Sequence, residues 1–260
     1  MFKKIIYKIT KSILKKFNFK IIKIEKQNLS YLYPEYSKKE LKIITNAKLY
    51  TMTSYQNLNF LIRSFQHVIN NNLEGDFVEC GVWQGGNVIL LKNLMTEYKI
   101  MRKQIYAYDT FEGMTKPTAI DKDIRFKQEK ASDLMKKNLK SLNTHNIHCY
   151  YPIDKVRKNI LNNCKDIKNI KLIKGDVLKT LLVKDNIPNK ISILRLDTDW
   201  YKSTKIELEI LFPKLVKNGV LIIDDYGDFL GCKKAVDEYF KNKKFNIFKI
   251  DSGARMLIKS

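Results

Sequence analysis

An α/β domain built on a mostly parallel sheet is predicted, and three observations predict it. Short apolar runs alternate with helical segments from Asp76 onward, the pattern of strands joined by crossover helices. The runs are followed at once by glycine or acidic residues, as expected where a sheet edge meets a ligand. The last two apolar stretches are separated only by Asp251, Ser252 and Gly253, which makes them a hairpin and the sheet's antiparallel edge. At 260 residues and 44% hydrophobic, the chain can bury one sizeable core, so one catalytic-size domain with an appendage is expected rather than two equal domains.

The appendage comes first. In "MFKKIIYKITKSILKKF" (1–17), Phe2, Ile5, Ile6, Ile9, Ile13, Leu14 and Phe17 stand at helical spacing and lysines fill the other faces. Such a helix can lie on an anionic membrane surface or pack on the main domain or a second copy of the chain. Residues 19–45 are poorly patterned and read as a connection, so a division into 1–45 and 46–260 is predicted. "YTMTSYQNLNFLIRSFQHVINNNLEG" then reads as a helix ending near Gly75. The strands follow as "DFVEC", "QIYAYD", "IKLIKGD", "ISILRLD" and "GVLIID", with helices over about 86–100, 130–142, 154–165 and 202–217. "CKKAVDEYFKN" is a further helix, and "FNIFKID" with "ARMLIK" forms the hairpin. The charged stretch 114–153 interrupts the alternation and is expected to be a lid.

Composition narrows the function. Lys plus Arg number 49 against 27 acids, a net charge of +22. The excess is mostly lysine spread along the chain, alongside many Ile and Asn, so it reads as broad compositional bias and nucleic-acid binding is disfavoured. Cys80, Cys149, Cys164 and Cys232 are far apart with no CxxC pair, which suggests neither a zinc site nor a disulfide framework. No apolar run approaches the ~20 residues of a membrane span, and no secretory h-region precedes a small-residue cleavage site. A cytoplasmic location is expected, with peripheral contact at the inner face of the membrane through residues 1–17 as one role for that helix.

The strand ends carry the chemistry. "ECGVWQGGN" places Glu79 and Gly81, Gly85 and Gly86 between the first strand and a helix, where a ligand can approach the backbone closely. The spacing is not GxGxxG, which argues against a dinucleotide, and the acid beside it favours a cationic or neutral ligand. Asp109 ends the second run at the place where a carboxylate accepts ribose hydroxyls, and Asp176 ends the third. Three acids on successive strand ends beside a glycine turn fit S-adenosylmethionine; the competing reading is that they cap helices. "RLDTDWYKST" and "LIIDDYGD" then bring Asp197 and Asp199 beside Asp224 and Asp225, since a right-handed crossover puts both strand ends on one rim. Acids on neighbouring strands, about 4.8 Å apart, raise one another's pKa unless a cation intervenes. An all-oxygen set favours a hard ion, Mg²⁺ foremost; Arg195 and Lys202 offer salt bridges as the alternative. His145 and His148 without a third ligand read as surface residues, and Trp83, Trp200, Tyr201 and Tyr226 read equally as packing or as stacking platforms.

Five segments in order resemble one family. "GDFVECGVWQGG", "YAYDTFEGM", "KGDVLKTL", "LRLDTDWYKSTKIELEILFPKLVKNGVLIIDDYG" and "GCKKAVDEYF" resemble the macrocin O-methyltransferase (TylF/MycF) family of sugar O-methyltransferases, which depend on S-adenosylmethionine and Mg²⁺. The resemblance runs from about Thr51 to Phe240; Gln84 stands where family members usually carry Arg. It implies a Rossmann-like class I methyltransferase fold with seven strands and helices on both faces. Glu79, Gly81 and Gly85 would then hold the methionine part of the cofactor, Asp109 the ribose and Asp176 the adenine side. Asp197, Asp224 and Asp225 would bind the metal, and Asp199 would be the general base. It also implies a sugar acceptor and a homo-oligomer, most simply a dimer. A catechol-like acceptor, and a non-enzymatic polyanion- or membrane-binding role on the same scaffold, are the competing functions.

Overall fold

The structure is a computed structural model that describes residues 29–125, 128–138, 140 and 147–260. The amphipathic stretch 1–17 lies outside the described residues, as does His145. Contacts divide the chain into 1–41 and 42–260.

Within the first unit, α1 spans Leu29–Leu32. The second helix, α2, spans Lys38–Lys48 and runs across the end of the stretch, 19–45, read as connection from the sequence. It starts on a reciprocal cap: Ser37 Oγ accepts from the Glu40 amide at 3.2 Å, and Glu40 Oε2 accepts from the Ser37 amide at 2.8 Å. The signature is the S-x-x-E of "SKKE", which satisfies two otherwise orphaned helix-start donors.

Next in the second unit is α3, Tyr55–Asn70, capped by Ser54 through its Oγ and the Asn57 amide at 3.1 Å. The alternating elements follow: β1 Asp76–Cys80, α4 Gly86–Glu97, β2 Ile105–Asp109, the two-residue strands β3 Lys122–Asp123 and β4 Glu129–Lys130, and α5 Ala131–Lys137. Then come α6 Ile153–Asn163, β5 Ile170–Lys174, α7 Val177–Thr180, β6 Ile191–Leu196, α8 Tyr201–Ile210, β7 Leu215–Ile223, α9 Leu230–Phe240, β8 Phe248–Lys249 and β9 Arg255–Ile258. The seven-stranded sheet runs β5-β2-β1-β6-β7-β9-β8; its first five strands are parallel and β9 and β8 close it antiparallel. This is the predicted architecture.

One boundary moved for a clear reason. The helix expected over 202–217 stops at Ile210; Phe212–Lys214 form a 3₁₀ turn around Pro213 and β7 begins at Leu215. Pro213 cannot donate an amide to a helix and biases its predecessor away from helical geometry. The apolar residues after it therefore serve the strand.

Strand pleat sorts the side chains. Glu79 pairs with Arg195 across β1 and β6, and Arg195 with Ile222 across β6 and β7, so these residues emerge on one face. That face is covered by α3 and α4, whose Leu58, Leu61, Phe65, Ile89 and Leu90 are fully buried, with Phe65 against Phe77 at 5.8 Å. Val78, Tyr108, Leu194, Leu196 and Leu221 point the other way into a core shared with Trp200, Leu208, Phe229 and Val236 from the α8 and α9 side. Helices thus lie on both faces, and no described helix is long and apolar enough to cross a membrane.

The β1 and β6 ends meet at Gly81. Its φ is +89°, and a Cβ built there would lie 1.9 Å from the Asp197 carbonyl oxygen. Gly81→Ala is expected to destabilise the fold by about 3 kcal/mol or more, combining a disfavoured φ with a backbone clash. A fall in the urea midpoint without a change in slope would show it.

Candidate active site

All five parallel strands deliver their carboxyl ends to one cavity of 560 Å³, within the size range of small-molecule sites. Its described wall holds nine aspartates and a single cationic side chain, Arg125. In a chain of net charge +22, this concentrates negative charge where the fold would place a ligand.

Asp197 leaves β6 and Asp199 follows in a left-handed conformation, φ +63°, which aims it back at the β7 end. There the Asp199 amide donates to Asp225 Oδ2 at 3.3 Å. Asp197, Asp199 and Asp225 offer carboxylate oxygens that all lie within 4.8 Å of one another, a spacing one hard cation can bridge. Asp224 points elsewhere: its Oδ1 accepts from Arg195 at 2.9 Å and from Asn57 Nδ2. Burial, with repulsion between neighbours, raises the Asp199 and Asp224 carboxyls to about 7 and lifts Asp197 and Asp225 as well. Without a cation such a cluster must carry protons.

Arg195 is the floor of this site. It is 1% exposed and its guanidinium donates to Asp197 at 2.6 Å, Glu79 at 3.0 Å and Thr53 Oγ1 at 3.0 Å, besides Asp224. The salt-bridge alternative therefore holds for Asp197 and Asp224, through Arg195, while Asp199 and Asp225 converge above it.

The cofactor-side residues divide. Gly81, Asp109 and Asp176 line the cavity; Glu79 and Gly85 do not. Gly85, φ +92°, packs over Val156 and Ile160 of α6. Glu79 lies just beneath the wall, where its Oε1 accepts from Asn87 at 2.8 Å and from Arg195, and burial raises its pKa to about 7 despite that arginine. Asp109 Oδ2 accepts from the Val82 and Trp83 amides at 2.7 and 2.9 Å, and its Oδ1 from the Phe111 amide at 2.6 Å. It therefore pins the glycine loop to the β2 end, with the Thr110 hydroxyl at 3.5 Å as its fourth and weakest contact. Asp176 does cap α7, accepting from the Leu178 amide at 2.9 Å, while still facing the cavity.

Of the four aromatic residues, Trp83 lines the cavity. Trp200 donates its indole N–H to the Thr115 carbonyl at 3.0 Å and packs edge-on to Phe229. The Tyr201 and Tyr226 hydroxyls pair with Glu238 and Asp237; these three are packing residues. His148 sits against the Met135 and Asn138 carbonyls. The sequence reading missed Thr53, Asn57, Asn87, Arg125, Asp228 and Asp251, all in the wall. The S-x-x-N step of Ser54 and Asn57 was a visible helix-start signal; nothing local marked the others.

The residues present fit a cationic nucleoside cofactor and a divalent ion. Asn87 lines the cavity with a buried Oδ1 that has no partner among the described residues, and of the three converging carboxylates only Asp197 is paired with Arg195, which leaves negative charge for a cation to balance. Fold and site define a class I S-adenosylmethionine-dependent methyltransferase. The family profile described as Macrocin-O-methyltransferase (TylF) matches residues 9–257, and the chain belongs to that family. The match extends at both ends beyond the stretch, 51–240, that the motifs marked out.

Individual relatives agree. Demethyldecarbamoylnovobiocin O-methyltransferase of Streptomyces niveus is 29% identical over 205 residues, 77% of this chain and 71% of its own. An enzyme of Streptomyces olivaceus named for 4'-O-methylation of a rhamnosyl-tetracenomycin is 28% identical over 198 residues, 73% of this chain and 67% of its own. The solved structure of the O-methyltransferase NovP superposes with a TM-score of 0.67 at 27% identity, covering 81% of this chain and 82% of that one. The protein is an S-adenosylmethionine-dependent O-methyltransferase.

Proposed function

We propose that the protein methylates a hydroxyl of a sugar in a Mg²⁺-dependent reaction. The observation that carries this reading is the convergence of Asp197, Asp199 and Asp225 within 4.8 Å. The names of the relatives from Streptomyces olivaceus and Micromonospora griseorubida, the latter a mycinamicin III 3''-O-methyltransferase, support a sugar linked to a natural product, and the proposal includes surface-glycan sugars alongside it.

When bound, S-adenosylmethionine supplies an activated methyl group and Mg²⁺ a Lewis acid for a poorly acidic hydroxyl. Asp197 and Asp225 would hold the cation, with Asp224, which the metal-free fold pairs with Arg195 and Asn57, as the third ligand in this reading; Arg195 fixes Asp197 and Asp224. Asp199 takes the proton from the acceptor hydroxyl. Gly81, with Glu79 and Gly85 supporting the turn, seats the methionine part; Asp109 receives the ribose and Asp176 borders the adenine. The segment 114–153 acts as a lid, contributing Thr115, Arg125 and Cys149 to the wall. The stretch 1–17 serves assembly into a dimer or contact with an anionic membrane surface, in a cytoplasmic protein.

Calorimetric titration of S-adenosylmethionine and Mg²⁺ into the wild type and Asp225→Asn tests the core of this. Cofactor binding by both, with Mg²⁺-dependent methyl transfer in the wild type alone, is expected. A wild type that binds no cofactor, or turns over equally in a chelator, would sink the reading.

The acid cluster also sets a pH trend. Asp199 and Asp224 titrate near 7 in the metal-free fold and near 4 in an unfolded chain. The folded state thus holds more protons between those values, and stability falls as pH rises through that window. Metal-free protein is expected to melt on the order of 5 °C lower at pH 8 than at pH 5, and saturating Mg²⁺ should flatten the difference. Differential scanning calorimetry at the two pH values reads both.

A further inference from the structure

Asp121 is a buried acid that the mechanism above does not use. It is 0% exposed and lies outside the cavity wall, within the segment 114–153. Its two carboxylate oxygens serve different parts of the chain. Oδ2 accepts from the Thr118 amide at 2.6 Å and from the Thr118 hydroxyl at 2.7 Å, which holds its own loop. Oδ1 accepts from the Tyr201 amide at 2.8 Å, 80 residues further along. Tyr201 is the first residue of α8, where a helix leaves amides without partners of its own. Trp200 before it supplies no side-chain cap, so a carboxylate from another element takes that place, at the end of the helix where negative charge is favoured. Gly231 of α9 makes room for it: a Cβ there would lie 1.9 Å from Asp121 Oδ1.

The helix start held in this way is the anchor of Asp199. That residue stands two positions before Tyr201 with φ +63°, a conformation that surrounding contacts must hold. On its upstream side, Thr198 donates its hydroxyl to the buried Glu207 at 2.9 Å. On its downstream side, the Trp200 indole donates to the Thr115 carbonyl at 3.0 Å and the Tyr201 amide to Asp121. Both downstream contacts come from 115–121, so this part of the segment is tied to the turn that carries the acid cluster.

We infer that Asp121 is a positioning residue for methyl transfer: through the Tyr201 amide it fixes the turn that aims Asp199, without touching cofactor, metal or acceptor. This rests on the reading of Asp199 as the base and deepens it. A misplacement of about 1 Å in a reacting group can lower a rate by about 100-fold, so loosening the start of α8 acts on turnover and leaves the binding of ligands to the rest of the wall.

The test compares Asp121→Ala with Thr118→Val, which removes one hydrogen bond to Oδ2 and leaves the Tyr201 contact in place. With radiolabelled S-adenosylmethionine, saturating Mg²⁺ and a panel of methyl glycosides, Asp121→Ala is expected to lose at least roughly tenfold in kcat. Acceptor KM and cofactor affinity should stay within about threefold of wild type, and so should the kcat of Thr118→Val. In an Asp199→Asn background, Asp121→Ala should lower kcat little further, because the residue acts through Asp199. Independently of turnover, amide hydrogen exchange across 199–204 should quicken at least roughly tenfold in Asp121→Ala while β6 and β7 keep their protection. Gly231→Ala, which crowds Oδ1 from its place, should reproduce the selective loss of kcat, and it serves as the test if Asp121→Ala does not fold. A smaller loss of kcat, a loss carried by KM, unchanged exchange, or losses that multiply with Asp199→Asn would overturn the inference while leaving the base reading intact. Full rate in Asp199→Asn alone, or cofactor binding with no transfer to any glycoside, would instead bring down the underlying reading, and this inference with it.

Discussion

Asp199→Asn is expected to lower kcat by roughly 10²–10⁴-fold, the range spanned by positioned general bases, with cofactor affinity unchanged. The substitution keeps shape and removes the capacity to take a proton. It should also keep the backbone, because Asn is among the few residues that readily adopt the left-handed conformation found there, φ +63°. The hydrogen bond from the residue 199 amide to Asp225 survives as well. Single-turnover methyl transfer, run beside a Mg²⁺ titration, separates the two roles this residue's position allows. A deep loss of rate at saturating Mg²⁺ identifies the base. Recovery of rate at high Mg²⁺ would make Asp199 a metal ligand instead, and move the base to another member of the cluster.

Arg195→Met is expected to destabilise the protein by about 3–5 kcal/mol, the usual cost of removing one partner from a buried ion pair. Three carboxylates depend on this one guanidinium: Glu79 at 3.0 Å, Asp197 at 2.6 Å and Asp224 at 2.9 Å. Removing it leaves Glu79 stranded under the sheet edge with one oxygen already unpartnered. Adding Glu79→Gln to the variant should restore part of the loss, a non-additivity that contacting residues show and distant ones do not. Urea unfolding of the two single variants and the double variant measures it; additive losses would mean that the pair contributes little.

Much of this was legible in the sequence because it depends on local pattern. The order of five parallel strands and a closing hairpin followed from apolar runs, and "DTD" and "IDD" at consecutive strand ends announced a shared rim. The helix at 38–48 was equally local, written in the Ser37 and Glu40 cap, but with only Leu41, Ile43, Ile44 and Ala47 apolar among its residues it passed for connection. What pattern could not show was partner choice across the sheet. That Glu79 faces Arg195, and so supports the floor instead of lining the cavity, depends on the register between β1 and β6. Asp224 turns to Arg195 and Asn57 because α3, more than 150 residues earlier in the chain, lays its first turn over the end of β7. Asn57, Asp228 and Asp251 reach the cavity from α3, the start of α9 and the closing hairpin, and no spacing rule connects them.

The wall of the cavity is built in two parts. The acids and the glycine turn sit on strand ends locked by sheet register, where Gly81 has no room for even a methyl group. The opposite wall comes from a helix start, the described part of 114–153 and a hairpin loop, none of which belongs to the parallel strands. Selection can therefore rewrite which molecule is accepted by substitutions in those outer segments while leaving the methyl-transfer machinery untouched. Relatives are accordingly expected to differ most in the stretches that face the acceptor.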